Sequence, residues 1–163
     1  MSRQSGSFSD NMRHMLRALR GRNYALFFIG QGLSLIGSWM QNTAMGVLIW
    51  QMTGKPLDLG LVGFTSTIFG FLLSPVAGVF SDRWPRRKVL LVTQSLAMTQ
   101  AAILAALTLT GSIQIWHIMV LAAFMGLVTA FDIPTRQSFV VQMVDRREDL
   151  PNAIALNSFL FNG

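Results

Sequence analysis

Few side chains in this chain could do chemistry. Its 163 residues include two histidines, His14 and His117, and no cysteine. The imidazoles lie far apart, so a metal site is not expected, and thiolate and disulfide chemistry are excluded. No cofactor is expected either. The polar residues that stand out are embedded in apolar sequence. Gln31, Ser34, Ser38, Gln41 and Asn42 recur at near-helical spacing, with Met45 continuing the line. Three carboxamides in one apolar stretch are costly to expose to lipid, so they should line a substrate cavity or bond between helices. A second group is Asp82 with Arg83, Arg86, Arg87 and Lys88, and a third is Asp132 with Arg136.

The elements that must carry these residues are membrane helices. Hydrophobic residues make up 52% of the chain and charged residues 12%, half the charge of an ordinary soluble domain. Roughly 20 apolar residues span the hydrocarbon core. Four stretches qualify, at about residues 24–50, 59–80, 89–109 and 115–131. A fifth begins near Leu150, with Asp149 and Pro151 as its start, and is expected to be cut off at Gly163. The fold class is therefore an all-α membrane bundle: residues 1–23 form a basic segment and 24–163 the helical part. About twenty polar and basic residues precede the first apolar run, so that run is expected to be retained rather than cleaved as a signal.

Net charge is +6, but its distribution argues for topology rather than nucleic-acid binding. Of thirteen Lys and Arg residues, all but Lys55 fall before the first span, between spans two and three, or after span four. The positive-inside rule makes those segments, and the N-terminus, cytoplasmic. Ser9 to Arg20 reads as a basic amphipathic stretch that could lie on anionic lipid, or as a solvated tail. Gln137 to Val144 is expected to link spans four and five along the membrane surface. Span two carries Gly63, Thr67, Gly70, Ser74 and Gly78, a small-residue stripe that lets another helix approach closely.

The segment Gly78-Val79-Phe80-Ser81-Asp82-Arg83-Trp84-Pro85-Arg86-Arg87-Lys88-Val89-Leu90 resembles the signature that major facilitator transporters carry between their second and third helices. Pro85 stands where that family usually has glycine, which stiffens the turn but keeps it tight. The resemblance implies a conformational latch formed by Gly78, Asp82, Arg83, Arg86, Arg87 and Lys88. Asp132, about 24 Å along span four at 1.5 Å per residue, is expected at the same level and to pair with Arg83, Arg86 or Arg87; Pro134 should end or kink the helix there. The stretches from Phe131 to Gln137 and from Asp149 to Ser158, with the Gly-Ser-Trp-Met-Gln centre of span one, resemble the branch containing the enterobactin exporter and related effector-secretion permeases.

That resemblance implies a multi-pass protein of the cell inner membrane that exports a small amphiphile, such as a siderophore or drug. Its expected partners are the lipid bilayer, the small-molecule substrate and protons as coupling ion, with no nucleic acid. It further implies two six-helix halves, so the chain would lack the C-terminal half and be inactive alone. A non-transporting membrane scaffold is the alternative. An integral-membrane enzyme would need intramembrane His, Cys or paired carboxylates, which His117 and the isolated Asp132 do not supply.

Overall fold

The computed structural model describes residues 22–143 and 150–162, all but the short connections being helical. Five helices follow one another: α1 Arg22–Thr53, α2 Pro56–Arg83, α3 Arg86–Leu109, α4 Ile115–Met143 and α5 Leu150–Asn162. The connections owe their tightness to local chemistry. Gly54 closes α1 at φ 63°, a left-handed conformation that suits glycine, with its N–H on the Trp50 carbonyl at 2.8 Å. Gly111, at φ 68°, closes α3, with bonds from Gly111 N–H to Thr108 and from Ser112 N–H to Leu107. Trp84 and Pro85, both extended, are all that separates α2 from α3. At the start of α4 the His117 Nδ1 accepts the Gln114 N–H at 3.1 Å, a side-chain cap from the third residue of the helix.

Three helices are long and apolar enough to cross a membrane among the described residues: Pro56–Phe80, Arg86–Leu109 and Ile115–Met143. At 32 residues α1 has the length, about 48 Å, but its polar residues dilute its apolar character and it is not among the three. It nevertheless carries an exposed apolar face. Leu26, Ile29, Leu33, Ile36, Met40 and Val47, spaced by three, four or seven, are all more than half exposed, whereas Gln31 and Ile49 are buried. An outward apolar face with Gln31 turned inward fits a bilayer as solvent, although Asn42, Thr43 and Gln51 are exposed as well.

Span four differs from its sequence-based outline. It does not stop near Phe131: α4 is one helix from Ile115 to Met143, with Pro134 inside it. Proline removes one backbone bond, to the Ala130 carbonyl, but the helix continues. Residues 137–143 are therefore the last two turns of α4 and not a separate surface link. The Ser9 to Arg20 stretch, Val144, Arg146, Arg147 and Asp149 lie outside the described residues.

The chain divides into two compact units, Met40–Ser138 and Met1–Trp39 with Phe139–Gly163. In the second, Tyr24 of α1, Val140 of α4 and Ala153 and Leu156 of α5 form a core, with Phe27, Phe28 and Met143 against it. Tyr24 Oη donates to the Ala153 carbonyl at 3.0 Å, and Phe27 meets Phe139 edge-on at 5.6 Å. In the first, Ile49, Val62, Leu104, Ile118 and Ala122 form a core shared by α1 to α4.

The backbones of α2 and α4 approach closely at Gly126. A Cβ at Gly126 would run into the Ser66 carbonyl oxygen and lie 3.1 Å from its carbon and 3.3 Å from Gly70 N. On the facing side, a Cβ at Gly70 would lie 3.4 Å from Gly126 O. Of the small-residue stripe, Gly70 thus sits at the crossing, while a Cβ at Gly63 or Gly78 would meet nothing within 4 Å. The crossing depends on Ser66 and Gly126, which the stripe did not include. Gly126→Ala is expected to cost about 1–3 kcal/mol by overpacking, read by SDS titration in mixed micelles. Gly63→Ala should be neutral or slightly stabilising through helix propensity; equal losses from both would refute the crossing.

Candidate functional site

Two clusters of polar residues are built into the Met40–Ser138 unit. The first surrounds Asp132, about 25 Å along α4 from Ile115. Its side chain is buried, as are those of Arg136 and Thr93. Arg136, one turn further along the same helix, forms an ion pair and hydrogen bond with Asp132 Oδ2. Thr93 Oγ1 donates to Asp132 Oδ1 at 2.7 Å, and Gln94 Nε2 donates to the same oxygen at 3.3 Å. A carboxylate removed from water is tolerable only when paired and hydrogen-bonded, and these three donors meet that need. Two come from α3, so the carboxylate also ties α3 to α4.

The expected partners of Asp132, the arginines of the α2–α3 connection, are placed otherwise. Arg86 Nη1 donates to the Ser138 carbonyl of α4 at 3.2 Å, while Arg83, Arg87 and Lys88 are exposed. Asp132 is reached instead by Arg136, because α4 continues past Pro134 and an arginine four residues on lies over the carboxylate. Asp82 lies in the last turn of α2, but its side chain is outside the described residues. Arg83 in that turn suits the negative end of the helix, whereas Arg86, Arg87 and Lys88 crowd the positive end of α3, which has no acidic residue in its first turn. Helix electrostatics alone would not put them there; membrane topology gives a reason.

The second cluster lines a cleft of about 340 Å³ walled by α1, α2, α3 and α4. Gln41, Asn42 and Met45 of the predicted cavity face line it, joined by Ser66 and Thr67 of α2, Gln100 of α3 and Met125 of α4. Gln41 Nε2 donates to Gln100 Oε1 at 2.8 Å. Asn42 is exposed and sits beside that pair. The earlier part of the predicted face belongs to the other unit: Gln31 is buried with no hydrogen-bond partner for its Nε2 among the described residues, and Ser38 Oγ donates to the Ser34 carbonyl at 2.9 Å. Thr67 Oγ1 likewise returns to its own helix, at the Gly63 carbonyl. Ser74 and Gly70 line a separate cleft with Pro134.

Gln100 and Thr93 are functional candidates that the sequence reading passed over. The signal was available, since each is a polar residue within a membrane span, but the polar residues of α3, Thr93, Gln94, Ser95, Thr99 and Gln100, do not form the regular stripe that draws attention in α1. Neither cluster holds a catalytic arrangement, and no group of three or more metal-ligating side chains occurs among the described residues. A cleft with amides and hydroxyls among methionine and aliphatic side chains can bind and orient a small molecule.

Residues 14–162 match the family described as transmembrane secretion effector, within the major facilitator superfamily. The chain belongs to that family. It is a multi-pass membrane protein, and its family points to a transporter rather than an enzyme. It is 27% identical to the staphyloferrin A transporter of Staphylococcus aureus over 137 residues, 83% of this chain and 34% of that protein. Against an uncharacterized MFS-type transporter of Bacillus subtilis it is 21% identical over 136 residues, covering 81% of this chain and 30% of that one. With macrolide efflux protein A of Streptococcus pyogenes it shares 21% over 119 residues, 73% and 29% of the two chains. The chain thus spans about a third of the length of these relatives. No solved structure matches it.

The ion pair makes a distinct energetic prediction. Arg136→Gln leaves a buried carboxylate without its cation and is expected to cost about 3–5 kcal/mol. Adding Asp132→Asn removes the charge that was stranded, so the double variant should be more stable than Arg136→Gln alone. Additive losses in SDS titration would show that the two groups do not act as a pair.

Proposed function

We propose that this chain forms one wall of a secondary transporter that exports a small amphiphilic molecule, of the siderophore or drug kind, in exchange for protons. The observation that carries the reading is the cleft at Gln41, Asn42 and Gln100. Its mixed lining suits a ligand with an apolar body and a few hydrogen-bonding groups. Relatives named for staphyloferrin A transport and macrolide efflux support that substrate class. Their greater length supports an opposite wall supplied by further helices of the same transporter.

In this reading the protein lies in the cell inner membrane with its N-terminus cytoplasmic, as the clustered Lys and Arg residues imply. Alternating access exposes the cleft to each side in turn. Asp82, Arg83, Arg86, Arg87 and Lys88 act as a latch at the cytoplasmic end, with Gly78 permitting close helix approach. The Asp132–Arg136 pair is the rigid anchor beside it, because its donors already occupy the carboxylate.

Cells producing the intact transporter are expected to extrude an amphiphilic substrate such as a siderophore or a macrolide, and a protonophore should stop the extrusion. Asn42→Ala and Gln100→Leu should each slow it about tenfold at equal membrane abundance, as the loss of one hydrogen bond worth about 1.4 kcal/mol would do. Protonophore-insensitive efflux would overturn the coupling. Parental rates in both variants would overturn the assignment of the cleft.

A further inference from the structure

The connection from α3 to α4 ends in a small polar cluster. Gln114 is the N-cap of α4, since its carbonyl accepts the first helical bond, from the Ile118 N–H at 3.3 Å. His117 is the third residue of the helix, and its Nδ1 accepts the Gln114 N–H at 3.1 Å. Trp116 Nε1 donates to Gln114 Oε1 at 2.7 Å, and the Trp116 and His117 rings lie 3.8 Å apart between centroids, inclined at 37°. Gln114 and Trp116 are exposed and His117 is half-buried, so water reaches the cluster.

Glutamate or glutamine usually makes this bond from the third helical position, and either remains an acceptor at neutral and mildly acidic pH. Histidine does not. A backbone N–H can only donate, so the Nδ1 that it meets must carry a lone pair, and the proton of the neutral ring sits on Nε2. The imidazolium carries a proton on both nitrogens and has no lone pair to offer. Its charge would also stand in the first turn of α4, at the positive end of the helix dipole, where no acidic side chain offsets it. The face of Trp116, already against the ring, gives the cation another partner.

The elements packed against the start of α4 leave this change to the imidazole. Ile118 packs with Ile49 of α1, Val62 of α2 and Leu104 of α3. The last turns of α1 and α3 hold no charged residue. Lys55 before α2 and Asp58 in its first turn form no ion pair with His117 among the described residues. Ile49, Val62 and Ala122 of the same core also line the cleft, so the first turn of α4 helps to hold one wall of it. We propose that His117 is a pH-sensitive cap: neutral, it closes the start of α4, and protonated, it releases Gln114 and frees the first turn.

Hydrogen exchange of the Gln114 amide in the intact transporter tests the cap. It is read at about pH 8 and about pH 5, the limits between which histidine changes charge, and corrected for the pH dependence of intrinsic exchange. Protection in the parent is expected to fall about fivefold on acidification, as the loss of one hydrogen bond provides. His117→Gln keeps an acceptor that does not titrate and should hold the higher protection at both pH values. His117→Leu has no acceptor and should show the lower protection at both. Unchanged exchange further along α4 shows that each variant remains folded.

Equal protection in the parent at the two pH values would overturn the proposal; that comparison needs no substitution and can refute the cap by itself. A fall of the same size in His117→Gln would assign the titration to another group. Full protection in His117→Leu would show that the imidazole is not the cap. Either result also overturns it.

Discussion

A carboxylate in a membrane-embedded helix must be neutralised and hydrogen-bonded where it sits, and Asp132 sets that constraint on this structure. Its cation comes from one turn further along α4, and its hydroxyl and amide donors come from α3. Meeting all three demands fixes the rotation of α3 against α4. It also requires α4 to stay helical through Pro134, since Arg136 reaches Asp132 only across an unbroken turn. Because α4 continues, Val140 and Met143 are available to pack with Tyr24, Ala153 and Leu156.

Backbone contact supplies the complementary constraint. Lipid offers no hydrophobic drive for helices to associate, so close packing and polar pairing must do it. The Gly126 crossing with Ser66 and Gly70 provides the packing, and the Gln41–Gln100 and Asp132 groups provide the pairing. Side chains left over from these tasks divide by chemistry. Aliphatic ones cover the outside, as on the exposed face of α1, and polar ones such as Asn42 remain beside a cleft.

Much of this was legible in the chain, and the misses have physical causes. Helix number and order follow from the length and spacing of apolar runs, which the bilayer thickness dictates. The family followed from the Gly78 to Leu90 segment, where residue types and topological position agree. The continuation of α4 past Phe131 is not legible in the sequence, because proline ends or kinks a helix in water, whereas a membrane helix tolerates it when neighbours supply compensation. The partner of Asp132 was sought among arginines at the same depth, although an arginine four residues away was already in reach. Gln100 and Gly126 are not legible in the sequence because each acquires meaning only from the residue facing it.

The central claim is that Gln41 and Asn42 of α1 border a ligand cleft while the opposite apolar face meets lipid. The chain itself has no cysteine, so single cysteines can report its two faces once any cysteine of the further helices has been replaced. The direct measurement is labelling of Asn42→Cys and Val47→Cys by a water-soluble thiol reagent, in membranes containing the intact transporter, with and without substrate. The account predicts that Asn42→Cys reacts, that substrate slows its reaction, and that Val47→Cys stays unlabelled. Labelling at Val47→Cys with none at Asn42→Cys, or substrate-independent labelling at Asn42→Cys, would contradict it.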